Sequence, residues 1–87
     1  MFFNYTENIS WVLLDDIVFV FEEIDNMMYV LEDIAKDFWL MIQDKIDFSS
    51  IIQKLSEIYD AEVEVIQDDM QEFVSMMISK KIIQARG

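Results

Sequence analysis

Residues 17–31, IVFVFEEIDNMMYVL, restrict what this chain can fold into more than any other stretch. Residues 17–21 are apolar without a break, which suits a strand covered on both faces. Glu22, Glu23, Asp25 and Asn26 then interrupt the run, and an Asp-Asn pair accepts the positive φ angles of a tight turn. The apolar character resumes at Met27–Leu31, with Met27, Tyr29 and Leu31 on one face and Met28 and Val30 on the other. Upstream, Ile9–Leu14 (ISWVLL) is another β-prone run, joined to Ile17 by Asp15-Asp16. The three runs predict an antiparallel meander with residues 17–21 in its middle. Met27–Leu31 is then left at an edge with unpaired backbone groups, and an edge strand can accept another chain.

Beyond Leu31 the apolar spacing becomes helical. Glu32-Asp33 opens a first helix, since acids suit a helix N-terminus. Ile34, Phe38, Met41 and Ile42 share one face of it, with Trp39 extending that face toward the sheet. Asp47 can cap a second helix, with Ile46 and Ile51 placed for a hydrophobic staple. Its stripe is Phe48, Ile51, Ile52, Leu55, Ile58 and Tyr59, and Asp60-Ala61 turns the chain. A third helix runs from about residue 63 to 80, with Val63, Ile66, Met70, Phe73 and Met77 facing inward. Val65, Val74, Met76 and Ile78 are apolar too, more than one buried face requires. That surplus predicts a second neighbour: the sheet, a partner subunit or a ligand. The expected fold class is therefore α+β and winged-helix-like, a three-stranded antiparallel sheet followed by three helices. It forms one domain over residues 9–83, with a flexible lead-in at 1–8 and a tail at 84–87. With no proline, and no glycine before Gly87, the joints fall to Asp, Asn and Ser.

The same composition narrows the chemistry. There is no cysteine and no histidine, which removes disulfides, thiol catalysis, the commonest general base and the commonest transition-metal ligand. A glycine-rich phosphate loop is excluded as well. Asp15-Asp16 reads as turn chemistry, because a hard-cation site needs several convergent oxygens. No catalytic residue, metal site or cofactor is expected, and the chain reads as a binding module, not an enzyme. Eighteen acids against six bases give a net charge of −12. That field repels nucleic-acid phosphates and anionic membranes and favours a neutral or basic partner. It also keeps a chain that is 54% hydrophobic in solution. The N-terminus, MFFNYTEN, lacks the basic region of a signal peptide, and no apolar run approaches the ~20 residues of a membrane span. A cytoplasmic location is the simplest expectation.

Three strands, then three helices with the last two joined by a short turn, also suggest a DNA reader with its third helix in the major groove. Glu62, Glu64, Asp68, Asp69 and Glu72 stand on that helix where Arg, Lys, Asn or Gln would be needed. The residues instead resemble the PqqD-like family, the peptide-recognition elements of ribosomally made, post-translationally modified peptide pathways. The elements that carry the resemblance are Tyr29 and Leu31 ending a strand, Trp39 in the next helix, and Ile51, Leu55, Tyr59 and Asp60 in the second. Asp69, Met70 and Phe73 follow, then Lys80-Lys81-Ile82-Ile83. Lys81 stands where the family usually has glycine, so the third helix is expected to end without a left-handed glycine cap.

The resemblance implies capture of a precursor's leader peptide as an added strand, in a cleft between Met27–Leu31 and the third helix. Delivery to a separate modifying enzyme would follow: a radical S-adenosylmethionine enzyme, a lasso-peptide protease and cyclase, or a cyclodehydratase. The peptide-binding residues would be Met27, Met28, Tyr29, Val30 and Leu31 on the strand and Asp69, Met70, Phe73 and Met76 on the helix. Methionine adapts to varied guests but also fills cores, and the expected faces of Met28 and Met76 point away from the core. The same edge could pair with a second copy, giving a homodimer. The competing reading is an acidic decoy or antitoxin that sequesters a basic partner and has no use for an apolar cleft.

Overall fold

The computed structural model describes residues 1–86; Gly87, the end of the expected tail, lies outside them. The order is β1 (Phe2–Tyr5), β2 (Ile9–Leu14), β3 (Ile17–Glu22), β4 (Met27–Leu31), α1 (Asp33–Gln43), α2 (Phe48–Tyr59), α3 (Val63–Ser79) and β5 (Ile83–Arg86). β2, β3 and β4 form the expected antiparallel meander with β3 in the centre. The α+β class and the three successive helices follow the sequence.

The chain ends do not. Residues 2–5 are a strand, not a lead-in, and they pair antiparallel with β5, which starts at the end of the expected domain and runs into the expected tail, with Phe3 opposite Ala85 and Tyr5 opposite Ile83. Phe3 is buried in the core, and the Phe48 N–H donates to the Met1 carbonyl at 2.8 Å. Phe3 and Tyr5 alternate with Phe2 and Asn4, a strand pattern too short to name a partner at the far end of the chain.

Seven non-glycine residues take positive φ: Asp15, Asp16, Asn26, Asp33, Lys45, Asp60 and Lys81. Asp and Asn tolerate this region because their short side chains bond locally, but two of the seven are lysines, which the sequence reading did not foresee. At Lys81 the backbone forms a left-handed cap even without glycine. Its N–H bonds the Ile78 carbonyl at 3.0 Å, and the Ile82 N–H bonds the Met77 carbonyl at 2.9 Å. That is a Schellman motif around a lysine at φ 61. Lys81→Gly is therefore expected to stabilise the fold by about 1 kcal/mol, since glycine carries no Cβ penalty there. Denaturant unfolding with an unchanged slope would show it.

Alternation places Val18, Val20 and Glu22 of β3 inward, the two valines fully buried against the helices. Glu22 is tolerated there because its carboxylate accepts the Ile24 N–H and the Asp25 N–H, closing the β3–β4 turn. The expectation that β3 is covered on both faces fails: Phe21 points outward and is exposed, and the helices lie on the opposite side of the sheet.

Trp39 has no exposed surface. It stacks on Tyr5 with ring centroids 4.4 Å apart and meets Trp11 edge-on at 5.8 Å. In α2, Ile51, Ile52 and Leu55 are buried as their spacing requires, while Ile58 is exposed despite its place in the predicted stripe. In α3, Ile66, Met70, Val74 and Met77 are buried. Val74 thus belongs to the core and not to the apolar surplus, because β1 and β5 add a neighbour on its side. Asp47 takes the N-cap position of α2 in an extended conformation, without a side-chain bond to the helix N–H groups. No described helix is long and apolar enough to cross a membrane.

Candidate functional site

Hairpin geometry decides which backbone groups the sheet leaves free. Asp15 and Asp16 both have positive φ, as a two-residue type I′ turn demands, and such a turn closes on a hydrogen-bonded pair, here Leu14 opposite Ile17. At the other end of the hairpin the Glu23 N–H donates to the Asn8 carbonyl at 2.9 Å, which is in phase with it. Odd-numbered residues of β3 therefore bond β2, and Val18, Val20 and Glu22 bond β4. Their partners are Leu31, Tyr29 and Met27. By alternation, Met28 and Val30 turn their N–H and C=O groups away from β3. No further strand pairs with β4 among the described residues, so this edge is open.

The side chains of the strand divide the same way. Met27, Tyr29 and Leu31 face the helices, Leu31 buried, Tyr29 half-buried against the core and Met27 exposed. Met28 and Val30 lie on the opposite face of the sheet, exposed, and do not join the side that faces the helices. On α3, Met70 is buried at 5% exposure, so it fills the core and presents no contact surface. Phe73 is half-buried and meets Phe38 of α1 edge-on at 5.8 Å. At 100° per residue, Val65, Asp69, Phe73 and Met76 share one flank of α3. Val65, Asp69 and Met76 are exposed on it. α3 packs closely on α2 and β5 and β4 on β3, while α3 and β4 do not pack closely on each other. The predicted site thus has two parts, the free edge of β4 and a flank of α3 on which Asp69 and Glu72 stand among apolar residues.

The other flank of α3 carries something the sequence reading missed. Gln71, Val74 and Ile78 line a cavity of about 390 Å³ with Met1, Phe3 and Phe48. It exists because β1 pairs with β5, which packs on α3, and nothing in the local spacing of residues 1–8 announced that.

One polar network ties the turn before β3 to the helices. The Lys36 stem is buried, and its ammonium reaches Asp16 at 2.7 Å and Asp37 at 3.3 Å. The Asp16 hydrogen bond leads the causes that raise the Lys36 pKa. The Tyr59 hydroxyl donates to Asp37. Burial first, and then Asp37, push this phenol up to about 12. Because the raised value belongs to the folded state, the stability it brings is complete below pH ~10 and is lost as pH rises toward 12. Asp16 is 85% exposed, so this pair is weak. Lys36→Met is expected to lower the denaturant midpoint only slightly, and the difference should shrink at high salt. Among the described residues, no group of three or more His, Cys, Asp or Glu converges to hold a metal ion.

The profile of the family described as "Coenzyme PQQ synthesis protein D (PqqD)" matches residues 10–83. The chain belongs to the PqqD family. No curated protein matches it by sequence. Two solved structures share the PqqD-like fold. "TbiB1 in Complex with the TbiA(beta) Leader Peptide" superposes with a TM-score of 0.87 at 12% identity, over 97% of this chain and 98% of that one. "Lasso peptide synthetase B1 complexed with the leader peptide" gives 0.87 at 16% identity, over 98% and 100%. At such identities the likeness is one of fold, and it extends over β1 and β5.

Proposed function

We propose that this PqqD-family chain is a non-catalytic recognition element that binds the leader of a ribosomally made precursor peptide. The leader adds as a strand beside β4, and the chain hands the peptide to a separate modifying enzyme. The observation that carries this reading is the free edge at Met28 and Val30, on a fold shared with two proteins whose structures contain leader peptides. Backbone pairing at such an edge gives affinity without demanding sequence, and side-chain contacts add selectivity. Tyr29 and Met27 on the inner face and Phe73, Met76 and Val65 on α3 offer apolar contacts to a guest. Asp69 offers a charge to a basic leader residue.

The test is fluorescence polarisation of a labelled leader from the chain's own pathway. Met76→Glu adds an acid beside Asp69 and Glu72 on the exposed flank and should weaken binding about tenfold by removing apolar contact, with the melting temperature unchanged. Asp69→Asn should weaken it less, and chiefly at low salt. Binding that neither variant changes would remove α3 from the site. A folded chain that binds no leader at all would remove the reading.

A further inference from the structure

The outward face of the β2–β3–β4 sheet is apolar where a sheet covered on one side should be polar. β3 sends Ile17, Phe19 and Phe21 outward. The register sets Leu14 and Val12 beside them on β2, and Val30 and Met28 on β4. Val12, Leu14, Phe21, Met28 and Val30 are exposed, from 41% at Phe21 to 60% at Met28. Ser10 is the one polar side chain on this face. Strand spacing and rise make the patch roughly 15 Å by 17 Å, close to the size of the largest apolar patch on an ordinary monomer, which often serves an interaction. β-propensity does not demand it, since threonine would serve a strand equally well.

Charge selects the occupant. No Lys, Arg or His precedes Lys36 in the chain. Asp15 and Asp16 border the sheet at one end, and Glu23 and Asp25 at the other, all exposed; only Asp16 has a basic partner, Lys36. Two copies packed face to face would set acidic ends on acidic ends in either orientation, so a second copy fits poorly. Anionic membranes and nucleic acids are repelled for the same reason. What fits is a protein surface with an apolar centre and a rim of Lys and Arg.

β4 belongs to this face and to the open edge together. Met28 and Val30 turn their backbone groups to the edge and their side chains to the outward face. A strand added there would send alternate side chains onto that same face and widen it by one strand. We infer that the outward sheet face is the docking surface for the enzyme that modifies the captured peptide, a partner with an apolar patch ringed by basic residues. That enzyme would read sheet and guest strand as one surface. The inference rests on the strand-addition reading. By linkage, peptide and partner would raise each other's affinity by the same factor.

The probe is a designed amphipathic helix with leucine on one face and lysine on the other, titrated into the isotope-labelled full chain and followed by amide shifts. A counterpart with glutamate in place of lysine is the control. The lysine helix should perturb Val12, Phe19, Phe21 and Val30, and the glutamate helix should not. Val12→Thr with Phe21→Thr leaves the charge unchanged and should weaken the lysine helix about tenfold or more through lost apolar contact, with melting within a few degrees of the parent. Leu14→Thr is a second variant should that pair fold poorly. Unchanged probe affinity in the folded variants, or shifts confined to α3, would overturn the inference. So would a parent chain that sediments as a dimer which these substitutions dissolve. The labelled leader is titrated into the same variants. A face variant that still binds leader but not the lysine helix separates the two surfaces, whereas a parent that binds the lysine helix but no leader refutes strand addition alone.

Discussion

Val30→Pro is expected to weaken leader binding by roughly ten- to a hundredfold with melting close to the parent's, and Tyr29→Pro, one residue away, is expected to lower the melting temperature by several degrees or more. The contrast follows from the ladder. The Val30 N–H points from the open edge and bonds nothing in β3, so proline there removes no internal bond. It does remove a donor a guest strand would use, worth about 1 kcal/mol, and sets its ring against the guest's carbonyl. Edge strands tolerate proline on the solvent side, and the residue before it is already extended. Tyr29 stands opposite Val20 in the hydrogen-bonded phase. Proline there removes the ladder bond to the central strand and leaves the Val20 carbonyl without its partner, a loss of about 1–3 kcal/mol. Met28→Pro should behave as Val30→Pro does, since both residues share one phase. Polarisation of a labelled leader, beside thermal melts, reads both effects. Parent-like affinity in folded Val30→Pro and Met28→Pro together would rule out pairing along β4, and a Tyr29→Pro that melts with the parent would show the phase to be wrong.

Much of this layout was legible because local patterns carry it. The three-strand meander lies in alternation and in two polar turns, and the three helices lie in their apolar spacing. The open edge followed from order alone, because a meander's last strand has one neighbour. What stayed hidden depends on contacts between distant residues. β1 and β5 are four-residue strands at opposite ends of the chain, and no short pattern names its partner. Their pairing buries Val74, which looked like surplus, and builds the cavity on the far flank of α3. Periodicity set Met70 on the inward stripe but could not show that it fills the core and leaves Phe73 and Met76 to the surface. The unbroken apolar run of residues 17–21 reads as a strand buried on both faces. A sheet with one apolar face left uncovered has the same sequence signature.

Trp39→Ala is expected to destabilise the fold by about 3–5 kcal/mol, the loss for removing a large buried aromatic side chain. Trp39 sits on α1 with no exposed surface, stacked on Tyr5 of β1 and edge-on to Trp11 of β2. Its carbonyl accepts the Tyr5 hydroxyl at 2.6 Å, and burial pushes the Tyr5 phenol above its ordinary value. One ring therefore joins a helix to both sheets, and alanine leaves a cavity bordered by two aromatics anchored on different strands. Against a total stability of roughly 5–15 kcal/mol, low in that range for a small domain, such a loss leaves much of the population unfolded near body temperature. At about 4–8 °C per kcal/mol for a domain of this size, melting should fall by at least about 12 °C. Trp39→Phe keeps a ring against Tyr5 and should recover about half of the loss. The open edge at Met28 and Val30 lies on another strand, so the folded fraction of Trp39→Ala should bind leader with parent affinity when cooled. A variant that melts within a few degrees of the parent would show that the two sheets are held together without this ring.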